Sequence, residues 1–425
     1  MLATMLLALL ALLLLGVPIF AALGLSSLLY IHLVGIPPLI VIQQMFNGID
    51  QFALLAVPFF ILAGILMNSA RITDEIFGFA RAMVGHLPGG MGHVNITASV
   101  IFSGMSGTAV ADAGGLGTVE IKAMRDQGYP PGFAIGITAA SSTIGPIIPP
   151  SLAMIVYGVS SNESIGQLFA AGIVPGLMMA IALHVMVWRM SVRNGYPRDQ
   201  RASWREAMST LRTSFPALIT PVIIIGGILA GVFTPTEAAV VAVIYAVIIG
   251  MFWYRALDVK SLLRGLLETF ETTAVVMLMV SASALFGWIL VRENIASTFS
   301  ASILSLASEP WQALLLLNII LLIAGMFMET VAIILILTPV FMPVLGSFGI
   351  DGVQFGIIMI LNLMIGLITP PIGLLLFVMA SIADAELATV IRACLPFMIP
   401  LVAVLILITL FPALTLTVPD LIYGN

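Results

Sequence analysis

The stretch STIGPIIPPS, Ser142–Ser151, interrupts a long apolar run with three prolines, a glycine and three hydroxyl side chains. A Pro-Pro pair removes two backbone donors and bars a continuous helix. It also pushes the residue before each proline out of helical geometry. In lipid the freed carbonyls and amides meet no water, so such a break must be buried in protein or line a wet cavity. Free carbonyls suit Na⁺, and the N-termini of half-helices suit an anion. A simple proline kink, repaired by a neighbouring Ser or Thr, competes with this reading.

The surroundings decide the class. The 425 residues are 61% hydrophobic and 8% charged, whereas a soluble chain carries about a quarter charged residues. Apolar runs recur from end to end, each long enough to cross a hydrocarbon core of about 30 Å as a helix. This is the composition of an all-α polytopic membrane protein, and it points away from nucleic acid as a partner. The single Cys394 excludes an internal disulfide. The apolar stretch from Met1 to Val34 lacks a basic flank and reads as the first membrane segment, not as a leader peptide.

The 15 Lys and Arg residues set the orientation. Arg189, Arg193, Arg198, Arg201, Arg205 and Arg212 surround a linker, 191–213, which the positive-inside rule places in the cytoplasm. Counting spans outward from it puts the N-terminus in the cytoplasm and the C-terminus in the periplasm. Arg71 and Arg81 precede the stretch 88–125, and Lys122 and Arg125 end it. If both flanks are cytoplasmic, this stretch enters and returns on one side, as a re-entrant hairpin with its tip near SGMSGTA, Ser103–Ala109. Every positive charge except Arg292 then falls inside. Two ordinary short spanning helices are the alternative.

IGPIIPP at 144–150 recurs as IGLITPP at 365–371, an offset of 221 with five matches in seven positions. The same offset pairs Gly104 with Gly325 and Ser141 with Asn362. Two repeats are therefore expected. The first, 1–190, holds a hairpin at about 88–125 and a broken helix at about 132–160. The second, 214–425, holds a hairpin at about 310–347, with its tip at Gly325–Val331, and a broken helix at about 352–383. Counting spans inverts the second repeat relative to the first, the plan of secondary transporters with a site near the midplane. Hard oxygen donors gather at these features, and an acid at membrane depth marks function by default, which singles out Glu329 and Asp112. TPTEAA, Thr234–Ala239, reads as a turn and helix start. His32, His86, His93 and His184 lack metal-ligand spacing. Stretches near 72–88 and 293–309 read as interfacial arms.

AASSTIGPIIPPS, SGMSGTAVAD, TPTEAA and GLITPPIG together resemble the large, DctM-type membrane subunit of tripartite ATP-independent periplasmic (TRAP) transporters, over essentially the whole chain. The resemblance implies a Na⁺-coupled symporter of organic acid anions (a C4-dicarboxylate, a keto acid or a sugar acid such as sialic acid) in a bacterial inner membrane. It implies elevator-type movement and two partners, a small four-helix DctQ-type subunit and a periplasmic DctP-type binding protein. One Na⁺ site would use Ser103, Ser106, Ser142, Thr143 and Gly145. The other would use Gly325, Thr330, Gly366 and Thr369. Substrate would lie between the tips, among Thr108, Ser141, Pro149, Pro150, Glu329, Asn362 and Pro370. No organic cofactor is implied. A stand-alone Na⁺/organic anion symporter shares this plan. An enzyme is disfavoured, since the sequence lacks a zinc motif and a Ser–His pair across the core. A channel is disfavoured by hairpins opening to opposite faces.

Overall fold

The computed structural model describes residues 1–70 and 72–424. Arg71, one of the charges flanking the first hairpin, lies outside the described residues, as does the side chain of Ser106. Among the described residues the regular elements are all helical, and eight helices are long and apolar enough to cross a membrane.

The chain opens with α1 (Leu2–Leu14) and α2 (Ile19–Val34), which pack against each other. The stretch from Met1 to Val34 is thus two helices and not one segment. Gly16 adopts a left-handed φ of 76°, and Pro18 holds the extended position before α2; together they end one helix and start the next. Next come α3 (Leu39–Ile49), α4 (Ala56–Ser69) and the arm α5 (Ile72–Val84). A hairpin follows, α6 (Gly90–Ser106) and α7 (Ala109–Asp126), then a broken helix, α8 (Pro131–Ser142) and α9 (Leu152–Ser161), then the long α10 (Ile165–Asn194). The second series is α11 (Trp204–Leu229), α12 (Pro235–Ile248), α13 (Val259–Arg292) and the arm α14 (Ile295–Leu306). It ends with a second hairpin, α15 (Pro310–Phe327) and α16 (Thr330–Phe348), a second broken helix, α17 (Gly352–Leu367) and α18 (Leu374–Ala383), then α19 (Leu387–Leu410) and α20 (Ala413–Tyr423).

Most of the stretch read as the linker 191–213 is helical, because α10 runs on to Asn194 and α11 starts at Trp204. The early start has a local cause. Ser203 accepts from the Glu206 amide, and the Glu206 carboxylate accepts from the Ser203 amide, a capping box that satisfies two otherwise orphan donors. Thr234 and Glu237 repeat the device at the head of α12.

The first hairpin enters and leaves at one end of the molecule. The Tyr129 hydroxyl, just beyond α7, donates to the Pro197 carbonyl at 2.7 Å and accepts from the Met91 amide at 3.2 Å. Asp199 accepts from Arg81 at 2.7 Å, a hydrogen bond that pushes the guanidinium pKa up, and from Gln127 at 3.3 Å. Both ends of the hairpin therefore sit beside the Arg-rich connection. The two broken helices run antiparallel. Arg125, near the end of α7, donates to the Ala383 carbonyl at the end of α18, while Tyr157, near the end of α9, donates to Gly352 at the start of α17, at 2.7 Å.

Each series also grips the other. α9 packs on α16 and α18 on α7; α8 packs on α19 and α10 on α17. Lipid tails are as apolar as leucine, so close van der Waals fit, not exclusion from water, drives this packing. Small residues supply it. A side chain at Gly136 would collide with the Ala393 backbone, which is how α8 lies down on α19. His93 and His184, remote in sequence, stack between α6 and α10 with Nδ1 atoms 2.7 Å apart.

Candidate functional site

Each tip is tied to its own break by the backbone. The Leu152 amide donates to the Gly107 carbonyl at 3.4 Å, and the Gly373 amide donates to the Met326 carbonyl at 3.0 Å. Leu152 and Gly373 are related by the offset of 221. Gly107 has φ 63°, and a Cβ there would come within 2.8 Å of the Pro150 carbonyl oxygen. The first tip thus needs glycine for its conformation and for its contact. Both Pro-Pro bonds, 149–150 and 370–371, are cis.

Four half-helices begin at this junction. Thr108 caps α7 by accepting from Ala111, Ser151 caps α9 by accepting from Met154, and Glu329 caps α16 by accepting from Ala332. Gly373, in left-handed geometry, precedes α18. The first residues of all four helices, Ala109, Leu152, Thr330 and Leu374, line one cavity of about 60 Å³. Each N-terminus carries roughly half a positive charge in its unpaired amides. Four of them aimed at one space make an anion-binding environment without a basic side chain.

This space adjoins a cavity of about 760 Å³ that shares Thr108, Val110, Leu152, Glu329 and Val331. Its far wall is α4 and α13, which contribute Asn68, Glu268, Glu271 and Thr272. The charged residues in the lining are Glu268, Glu271 and Glu329, and none is basic. An anion held here needs a compensating cation beside it as well as the helix ends.

The fold distributes the predicted residues unevenly. Thr108 and Glu329 line both cavities, and Pro150 lines a smaller recess with Gly107. Pro149 and Pro370 lie in the breaks. Ser141 and Asn362 instead fasten broken helix to hairpin. Ser141 donates to Asn95 of α6 at 2.6 Å, and Asn362 donates to the Asn318 side chain of α15 at 2.7 Å. Of the first Na⁺ set, Ser103, Ser142 and Thr143 are buried, and each hydroxyl donates to a carbonyl within its own helix, leaving lone pairs free. Gly145 abuts the Thr108 backbone. Ser106 ends α6, its side chain outside the described residues. In the second set, Gly325 and Gly366 meet backbone to backbone, Thr369 donates to Ile365 at 2.6 Å, and the buried Thr330 hydroxyl has no partner.

Sequence reasoning missed Glu268, Glu271 and Asn68. The signal was available, since Glu268 and Glu271 are acids one turn apart within an otherwise apolar span. It also missed Asn95 and Glu120. Asn95 donates to Glu120 at 2.6 Å and to Thr138 at 2.7 Å, a buried polar layer joining α6, α7 and α8.

Residues 6–414 match the family model described as "Tripartite ATP-independent periplasmic transporter, DctM component". The sialic acid TRAP transporter large permease protein SiaM of Vibrio cholerae is 51% identical over 90% of this chain and 90% of its own length. The C4-dicarboxylate TRAP transporter large permease protein DctM of Pseudomonas aeruginosa is 39% identical over 89% and 88%. A solved structure of the YdaH transporter of Alcanivorax borkumensis, 14% identical, superposes with a TM-score of 0.65 over 88% of this chain and 87% of that one, a likeness of fold. With these relatives, the paired hairpins and the paired breaks, the chain belongs to the DctM family, the large membrane components of tripartite ATP-independent periplasmic transporters.

Proposed function

We propose that the chain takes up a small organic acid anion across the bacterial inner membrane, driven by Na⁺. The observation that carries this reading is the convergence of four helix N-termini on a cavity whose charged lining is acidic. The helix ends suit a carboxylate, and bound Na⁺ supplies the positive charge that the side chains lack. Relatives named for sialic acid and for C4-dicarboxylates support an organic acid as the cargo. The residues fit the ion. The Thr330 hydroxyl is buried and unpaired, and in the same hairpin-and-break unit Gly325 and Gly366 meet backbone to backbone. Thr330 and Thr369 would hold one Na⁺ with Gly325 and Gly366. Ser103, Ser106, Ser142, Thr143 and Gly145 would hold the other.

The cavity lies between the hairpin tips and the α4–α13 wall. We read the wall as a fixed scaffold and the hairpins with their broken helices as the moving body of an elevator. A DctQ-type four-helix subunit completes the scaffold, and a DctP-type periplasmic protein delivers the substrate. The N-terminus is cytoplasmic and the C-terminus periplasmic. Uptake of an organic-acid panel into proteoliposomes, with and without an inward Na⁺ gradient and with and without the binding protein, tests this. Uptake that needs both is the expected result. Indifference to both would refute it, and uptake needing Na⁺ alone would make the chain a stand-alone symporter.

A further inference from the structure

One acid in the first hairpin is left unexplained by packing. Asp112 lies in the first turn of α7 and is 1% exposed. Neither of its carboxylate oxygens meets a hydrogen-bond donor. The hydroxyls of Ser99 on α6 and Ser142 on α8 sit beside it. The Ser142 hydroxyl gives its proton to the Thr138 carbonyl at 2.7 Å. The Ser99 hydroxyl, also 1% exposed, has no partner. Of the helices packed on α7, α8 and α18 carry no titratable side chain, α6 carries only His93, engaged with His184, and α5 carries Asp74, Glu75 and Arg81, the last paired with Asp199. Glu120, two turns further along the same face, has one oxygen paired with Asn95 and the other without a partner. Among the described residues the one salt bridge is Arg81–Asp199, at the hairpin's base.

A carboxylate so enclosed must be neutralised by something. Ser142 also belongs to the first Na⁺ set proposed above. We infer that Asp112 is the charged residue of the first-half cation site, its carboxylate facing a monovalent cation held with Ser142, and that Ser99 is a further oxygen of that site. The inference rests on the Na⁺ reading given under the proposed function. It also makes the two sites unequal. The positions equivalent to Asp112, Ser99 and Ser142 in the second repeat are Ile333, Ile320 and Leu363, so the second-half site has only hydroxyl and carbonyl oxygens.

The test needs no transported substrate. Purified full-length chain is unfolded thermally over a range of NaCl, with choline chloride holding ionic strength constant. A ligand that binds only the folded state raises the midpoint with its concentration. Wild type should show a Na⁺-specific rise. Asp112→Asn, which keeps the shape and removes the charge, should raise the half-effective Na⁺ concentration of one component at least tenfold. Asp112→Glu should restore it to within a few-fold, which a merely structural role would not do. Ser99→Ala should shift it by a smaller factor in the same direction. A Na⁺ response in Asp112→Asn identical to wild type overturns the inference while leaving Na⁺ coupling intact. No Na⁺-specific rise in wild type overturns the coupling itself, and the inference with it.

Discussion

The two hairpin-and-break units share a backbone but not an interior. In both, a Pro-Pro break is held to the tip of its own hairpin by an amide donated from an equivalent residue, Leu152 or Gly373. In both, a conserved-by-offset pair of glycines, Gly104 with Gly325 and Gly145 with Gly366, occupies tip and break. Inside the first unit, Asn95, Glu120 and Thr138 form a polar layer. The equivalent residues of the second are Leu316, Phe341 and Met359. The comparison teaches that the break geometry depends on backbone bonding and glycine. The polar layer belongs to the first unit alone and is not needed to form a break.

The sharpest way to break that comparison is to give the first unit the residue of the second. Asn95→Leu removes the donor to Glu120 and Thr138 and leaves a buried carboxylate without a partner. A loss of about 3 kcal/mol or more is expected, read as a lower thermal unfolding midpoint in detergent. A neutral result would mean the layer is dispensable. Next in size is Gly366→Ala. Its Cβ would sit 2.7 Å from the Gly325 backbone, and overpacking of this kind costs about 1–3 kcal/mol. Gly145→Ala meets its nearest neighbour only at 3.3 Å, so its midpoint should fall less. Equal effects would show that the two tips are seated alike.

A third comparison sets cap against cap. Glu329→Ala and Thr108→Ala each remove the side chain that accepts from the first turn of a hairpin helix, a loss of about 0.5–2 kcal/mol. Because both residues line the large cavity proposed to hold the substrate, uptake should also show a raised KM; a stability loss without a KM change would confine them to capping. The smallest effect is expected at the hairpin's base. Arg81 is 48% exposed in its pair with Asp199, so Arg81→Ala should cost about 0.2–1 kcal/mol, less at high salt.

Much of this fold was legible because membrane depth makes local sequence decisive. Lys122 and Arg125 reveal the turn-back of the first hairpin, and Pro149–Pro150 and Pro370–Pro371 lie inside the breaks, two and three residues before α9 and α18 start. The division of Met1–Val34 was missed although Gly16 and Pro18 announce it, because the hydropathy of the run is unbroken. Helix ends near the Arg-rich stretch were missed because charge hides a helix that the Ser203 capping box starts. The Asn95–Glu120 layer was out of reach for a different reason. Its members lie on three helices, and only the packing of α6, α7 and α8 shows that they face one another. Likewise, hydroxyls at Ser141 and near Asn362 look alike in sequence to those at the tips; partners at Asn95 and Asn318 decide that they fasten helices.

The interlock of the two series has a consequence for the chain as it is made. α8 finds its neighbour in α19, and α10 finds its neighbour in α17. When Ser142 has been synthesised, the ribosome must still reach Leu387 before α8 can be covered, and at about 5–20 residues per second that takes on the order of tens of seconds. Throughout that interval the glycine-lined face of α8 confronts lipid or a caretaker instead of its final neighbour. The first half is therefore a nascent intermediate awaiting its complement, and membrane insertion of this chain is a waiting problem before it is a packing one.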